Sequence, residues 1–155
     1  LIQQNMAIKP IFTKKMPISQ VFGNYFNWYY AKWGMKWHDG VDFATPVGTP
    51  VMAGIEGVAT VPPFMKWWYW NYVKIRKTKP DGFTELLFAH LDKVLVKNGQ
   101  KVTPETVIAH TGNTWGSTWP HLHFSMRLYD TKGNVINPDN WYKGMVDPIP
   151  YFEKQ

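Results

Sequence analysis

The apolar residues of this chain fall in runs of four to nine, rich in Val, Ile, Phe and Tyr, and Gly, Pro, Asn and Asp cluster between the runs. No apolar repeat near 3.6 residues is sustained, so the pattern excludes a helical bundle and predicts a mainly β chain with few or no helices. Candidate strands are 18–22, 40–44, 49–53, 57–62, 72–78, 84–91, 93–96, 106–111 and 121–129. The turn signals "TPVG", "KPDG", "KNGQ" and "TKGN" lie between them. At 155 residues the chain is the length of one domain that can bury a sizeable core. We place that core at about 18–152, with residues 1–17 as a wrapping N-terminal segment and the Pro-rich end from 137 onward wrapping likewise.

Two stretches echo each other. "VGTPVMAGIEGVATV" and "NGQKVTPETVIAHTGN" each read as a Gly turn, a short strand and a small-residue turn. The pattern resembles the halves of lipoyl and biotinyl barrel-sandwich domains, and it predicts an antiparallel sheet or barrel-sandwich with duplicated hairpin-like halves.

The longest run, "HLHFSMRLY" at 121–129, alternates without a break. Side chains of a strand alternate faces, so Leu122, Phe124, Met126 and Leu128 form an apolar face. That face belongs to the core. Burial then fixes the register and sends His121, His123, Ser125, Arg127 and Tyr129 to the opposite side. The two imidazoles stand about 6.6 Å apart along the strand.

A second pair lies in "HDGVD", where His38 and Asp42 are an even number of residues apart and so share a face of an extended segment. Gly40 between them has no side chain and permits another group to approach closely. Asp39, of opposite parity, is expected to point away, in a turn or capping role. The chain has no cysteine, so a transition metal here depends on His and carboxylate ligands. Two histidines and a carboxylate form a known zinc set that leaves a fourth position for water. In "LLFAHL", Leu86, Phe88 and His90 fall on one face by alternation, and His90 is a candidate to act on such a water. His110 flanks a turn and reads as structural or exposed.

The order "HDGVD", "FAHL", "TGNTWGSTWPHLHF" resembles the lysostaphin-type (LytM-like) zinc endopeptidases of bacterial cell walls, with further likeness in "FATPVGTPVMA" and "DPIPYF". The resemblance implies that His38, Asp42 and His123 bind one Zn²⁺ and that His90 and His121 are catalytic. Strand geometry does not decide which of His121 and His123 is the ligand; that assignment rests on the resemblance. It further implies hydrolysis of peptide bonds in peptidoglycan through a zinc-activated water. No HExxH helix supplies a glutamate base, which gives the two additional histidines their purpose. Two departures stand out. Trp115 and Trp119 occupy a turn that is richer in Gly or Ala in the family, and Phe88 replaces a common Tyr.

Aromatic residues crowd the motifs in "YFNWYYAKWGMKW" and "FMKWWYWNY". Trp67, Trp68, Tyr69 and Trp70 are consecutive and cannot all face inward on a strand, so part of this stretch is expected to border the cleft and bind substrate, together with Trp115 and Trp119. The net charge of +6 suits an anionic polymer. A single-stranded nucleic-acid binder would also be basic and aromatic but would leave the histidines idle. A phosphocarrier would leave a third ligand unexplained, and a silent wall-binding relative would lack metal ligands that this chain keeps. The expected partner is peptidoglycan peptide, with no nucleic acid and no membrane insertion, for a monomer acting in the cell envelope or outside the cell. No signal segment opens the given sequence.

Overall fold

The alternation at 121–129 becomes the strand around which the sheet is laid. The computed structural model describes residues 6–24, 37–63, 71–113 and 119–154. Its strands are β1 (Ile18–Gln20), β2 (Val41–Ala44), β3 (Pro50–Met52), β4 (Gly57–Thr60), β5 (Val73–Lys79), β6 (Gly82–Ala89), β7 (Leu91–Val94), β8 (Lys101–Val102), β9 (Val107–Thr111), β10 (His121–Tyr129) and β11 (Met145–Val146), followed by a 3-10 turn at Ile149–Tyr151. No α-helix occurs among the described residues. One sheet runs β1-β2-β10-β6-β5-β4-β8, with β11 also on β10, and a smaller sheet runs β3-β9-β7. Neither closes, and the strands pair antiparallel throughout.

The sequence echo has a structural counterpart. The first copy contributes β3 and β4 and the second β8 and β9; β3 pairs with β9 and β4 with β8, so the halves exchange strands.

The apolar face of β10 is the centre of the core. Leu122, Phe124 and Met126 are fully buried, as are Leu86 and Phe88 of β6, Val73 and Ile75 of β5 and Val41 of β2. Phe124 meets Phe88 at 5.1 Å and Phe152 at 5.7 Å between ring centroids. Each such side chain contributes about 1.5–3 kcal/mol on burial, and all of it depends on one register. Met6, Ile8, Ile11 and Phe12 of the N-terminal segment are buried against the same core. Ile8 is anchored by accepting from Glu153 N at 2.8 Å and donating to Tyr151 O at 2.7 Å.

Two expectations change. The run at 84–91 is not one strand: β6 ends at Ala89, His90 takes a left-handed backbone conformation with φ of 61°, and Leu91 starts β7 in the other sheet. The strand at 40–44 begins only at Val41, so His38, Asp39 and Gly40 precede it as irregular backbone.

Candidate metal centre

Cross-strand pairing brings the first two donors together. In the β10–β2 ladder His123 lies directly opposite Asp42, and His121 opposite Ala44. The core contacts of Leu122 and Phe124 hold this register. His123 Nδ1 donates to Asp42 Oδ1 at 2.8 Å. His38 reaches the same point from the bend before β2: its Nε2 is 3.2 Å from His123 Nδ1 and 3.2 Å from Asp42 Oδ1. On its other side His38 Nδ1 lies 3.0 Å from Val21 O. A carbonyl only accepts, so Nδ1 carries the hydrogen and Nε2 faces the centre as a lone pair.

These three atoms form a triangle with edges of 2.8, 3.2 and 3.2 Å. A tetrahedral ion with ligands at about 2.0–2.1 Å has ligand–ligand edges of about 3.3–3.4 Å. The residues therefore fit a metal ion once the His123–Asp42 edge widens by about 0.5 Å and the other two by about 0.1–0.2 Å. Among the described residues this is the group of His and carboxylate donors close enough to hold one.

Without metal, the surrounding charges favour a protonated His123 beside an ionised Asp42. Burial alone would lower the pKa of His123, but the Asp39 and Asp42 carboxylates outweigh it and push the imidazole up to about 10. Burial would raise Asp42, and the neighbouring His123 and His38 more than reverse this, holding the carboxyl well below its usual range. A metal ion held by His123 Nδ1 would have to displace the proton there.

The two further histidines flank the set. His121 Nε2 lies 3.6 Å from Asp42 Oδ2, while its Nδ1 donates to Trp119 O at 2.9 Å. His90 is 4.9 Å from His121 and 6.0 Å from His123 between ring centroids. Regular alternation would have sent His90 to the core with Phe88. Its left-handed backbone turns it to the opposite face, so the shared face expected for Leu86, Phe88 and His90 is corrected. Phe88 itself is fully buried on the core face.

Asp39 is the second correction. Parity fails before the strand begins, and Asp39 Oδ1 lies 3.4 Å from His123 Nε2 instead of pointing away. Ser125, which shares the strand face of His123, is buried and lies 2.9 Å from the same nitrogen. Its position two residues after His123 was the available signal. Gly40 makes the approach possible: a Cβ there would meet Phe124 O at 2.6 Å, Ser125 Oγ at 2.7 Å and His123 Cε1 at 2.9 Å. His110 sits on β9 in the small sheet, outside this cluster. Trp119 is exposed beside His121. Trp67, Trp68, Tyr69, Trp70 and Trp115 lie outside the described residues.

Known proteins resemble this chain in sequence and in fold. The model for Peptidase family M23 matches residues 36–138, a range that contains His38, Asp39, Asp42, His90, His121 and His123. The chain belongs to peptidase family M23. Among this M23 chain's relatives, the peptidoglycan DD-endopeptidase ShyA of Vibrio cholerae is 41% identical over 117 residues, 73% of this chain and 25% of ShyA. The DD-carboxypeptidase/endopeptidase Mpg of Neisseria meningitidis is 40% identical over 101 residues, 65% of this chain and 22% of Mpg. The chain therefore spans about a quarter of these relatives' length. The catalytic domain of lysostaphin from Staphylococcus simulans superimposes with a TM-score of 0.68 at 27% identity, covering 88% of this chain and 91% of that domain. LytU gives 0.66 at 30% identity, covering 90% and 86%. The M23 fold, nearly all antiparallel sheet, is thus shared.

Proposed function

We propose that this chain is a zinc-dependent endopeptidase that cleaves peptide bonds in the stem peptides or cross-bridges of peptidoglycan, with one zinc ion held by His38, Asp42 and His123. The observation that carries the reading is the meeting of three donor atoms within 3.2 Å of one another beside two more imidazoles. Two imidazoles and a carboxylate suit zinc. When bound, zinc supplies Lewis acidity, lowering the pKa of water toward about 7 and polarising the scissile carbonyl.

The chain's own residues supply the rest. His121 is held by Trp119 O with Nε2 toward Asp42 and the metal set, so Nε2 is the atom that takes a proton. His90, turned beside it, is placed to stabilise developing negative charge or to deliver a proton to the leaving amine. Trp119 offers an exposed ring beside His121 for peptide or sugar, and from the sequence we propose that Trp67, Trp68, Tyr69, Trp70 and Trp115 also bind substrate. The net charge of +6 favours an anionic wall. Relatives named as peptidoglycan endopeptidases support that substrate. We place the activity in one domain, core about 18–152, working as a monomer in the envelope or outside the cell. Among the described residues no helix is long and apolar enough to cross a membrane.

The test is digestion of purified peptidoglycan of several chemotypes with mass analysis of the products. New peptide termini that vanish with chelator and return with zinc are expected. Wall binding by zinc-loaded protein without release of fragments would instead identify a silent binding relative.

A further inference from the structure

We propose that Asp39 is a positioning residue for His123: its carboxylate fixes the imidazole in the tautomer that presents Nδ1 to the metal. The inference rests on the reading of His38, Asp42 and His123 as the metal set and assigns a role to a fourth, neighbouring residue.

The argument turns on the outer nitrogen. His123 Nε2 has two neighbours, Ser125 Oγ at 2.9 Å and Asp39 Oδ1 at 3.4 Å. Ser125 is nearer, but a hydroxyl both donates and accepts. If it donated to Nε2, the ring proton would move to Nδ1 and block the ligand atom. An ionised carboxylate only accepts, so once metal has displaced the proton on Nδ1, Asp39 would keep the remaining hydrogen on Nε2 and leave the Nδ1 lone pair to the ion. Ser125 then accepts from the same N–H or donates elsewhere. With a metal bound, the pair would form the carboxylate–histidine–metal arrangement by which outer groups orient a ligand and raise its basicity.

The local fold is built for this contact. Asp39 lies between His38 and Gly40, so the backbone that delivers one ligand also delivers the orienting group for another. It can come this close only because Gly40 lacks a Cβ that would strike Phe124 O and Ser125 Oγ. The Asp39 side chain is 17% exposed, so its charge acts with little screening. With Asp42 it brings the fixed negative charge around the site to that which a divalent cation neutralises.

The test is the zinc dissociation constant, measured by competition with a chromogenic chelator, for wild type, Asp39→Asn, Asp39→Ser, Asp39→Glu and Asp42→Ala. Loss of the Asp39 charge should weaken zinc binding about 10- to 100-fold. Asp39→Glu should recover part of that loss, which a merely structural role would not predict. Long-range proton–nitrogen spectra of zinc-loaded wild type should place the His123 proton on Nε2. Whichever of Asp39→Asn and Asp39→Ser folds decides the matter. Affinity within twofold of wild type, while Asp42→Ala loses zinc, overturns the role of Asp39 alone. Retention of zinc by Asp42→Ala overturns the metal set itself.

Discussion

Replacing Gly40 by alanine probes the closest packing in the site. The added Cβ would lie 2.6 Å from Phe124 O, 2.7 Å from Ser125 Oγ and 2.9 Å from His123 Cε1. All three atoms belong to β10, which is hydrogen-bonded between β2 and β6 and cannot retreat. The segment carrying His38 must therefore move outward by several tenths of an ångström. Overpacking of this kind costs about 1–3 kcal/mol. For a chain of this size that lowers Tm by about 2–12 °C. The same displacement stretches the 3.2 Å separations from His38 Nε2 to its partners, so zinc affinity should fall along with stability. A control is Gly48→Ala, where φ is 86° but no atom lies within 4 Å. There the left-handed conformation alone should cost about 1–2 kcal/mol, with zinc affinity unchanged. Thermal denaturation of metal-free protein and zinc titration of both variants read the two effects. If Gly40→Ala matched wild type in Tm and in zinc affinity, the packing argument would be refuted.

His123→Ala and Asp42→Ala should lose bound metal and activity together, as measured by metal content and wall digestion, whereas His90→Ala should keep zinc and lose about 10²–10⁴ in kcat; full turnover in His90→Ala would remove it from the mechanism. Zinc binding near pH 8 should release about one proton per ion, read by calorimetry in buffers of different ionisation enthalpy, because metal displaces the hydrogen on His123; no release would mean that the ring is neutral beforehand. The pKa of His123 is raised in the folded state from about 6.5 unfolded, so its contribution is complete below about pH 6.5 and is lost as pH climbs to about 10. Asp42 is shifted the other way, and its contribution is present above about pH 4 and lost as pH falls through its lowered pKa. Metal-free protein should therefore lose Tm between pH 7 and pH 10, and a rise over that range would contradict the assignment.

The parts of this molecule most legible in the sequence are those where alternation is unbroken and one face is buried. The strand β10 was readable to its ends because four apolar side chains in nine residues leave one register. His38 and Asp42 do share a face of the site, but not as members of one strand: Asp42 lies in β2, and His38 reaches it from the bend before the strand. Where the backbone leaves the strand region, parity misleads. Alternation directs Asp39 away from the site for that reason, and it puts the catalytic candidate His90 on the face of Leu86 and Phe88 because no sequence signal marks a non-glycine residue with φ of 61°. The two-residue strands β8 and β11 have too little pattern to register at all. Local strand geometry does not distinguish His121 from His123 as the ligand, and the assignment of His123 is what the family resemblance implies.

The central claim is that one ion is clasped by His38, Asp42 and His123. X-ray absorption at the zinc edge of the loaded protein tests it most directly. Nitrogen and oxygen neighbours at about 2.0–2.1 Å that include two imidazoles in wild type, with bound zinc lost or reduced to one imidazole in His38→Ala, are the predicted result. An imidazole count unchanged by His38→Ala would contradict it.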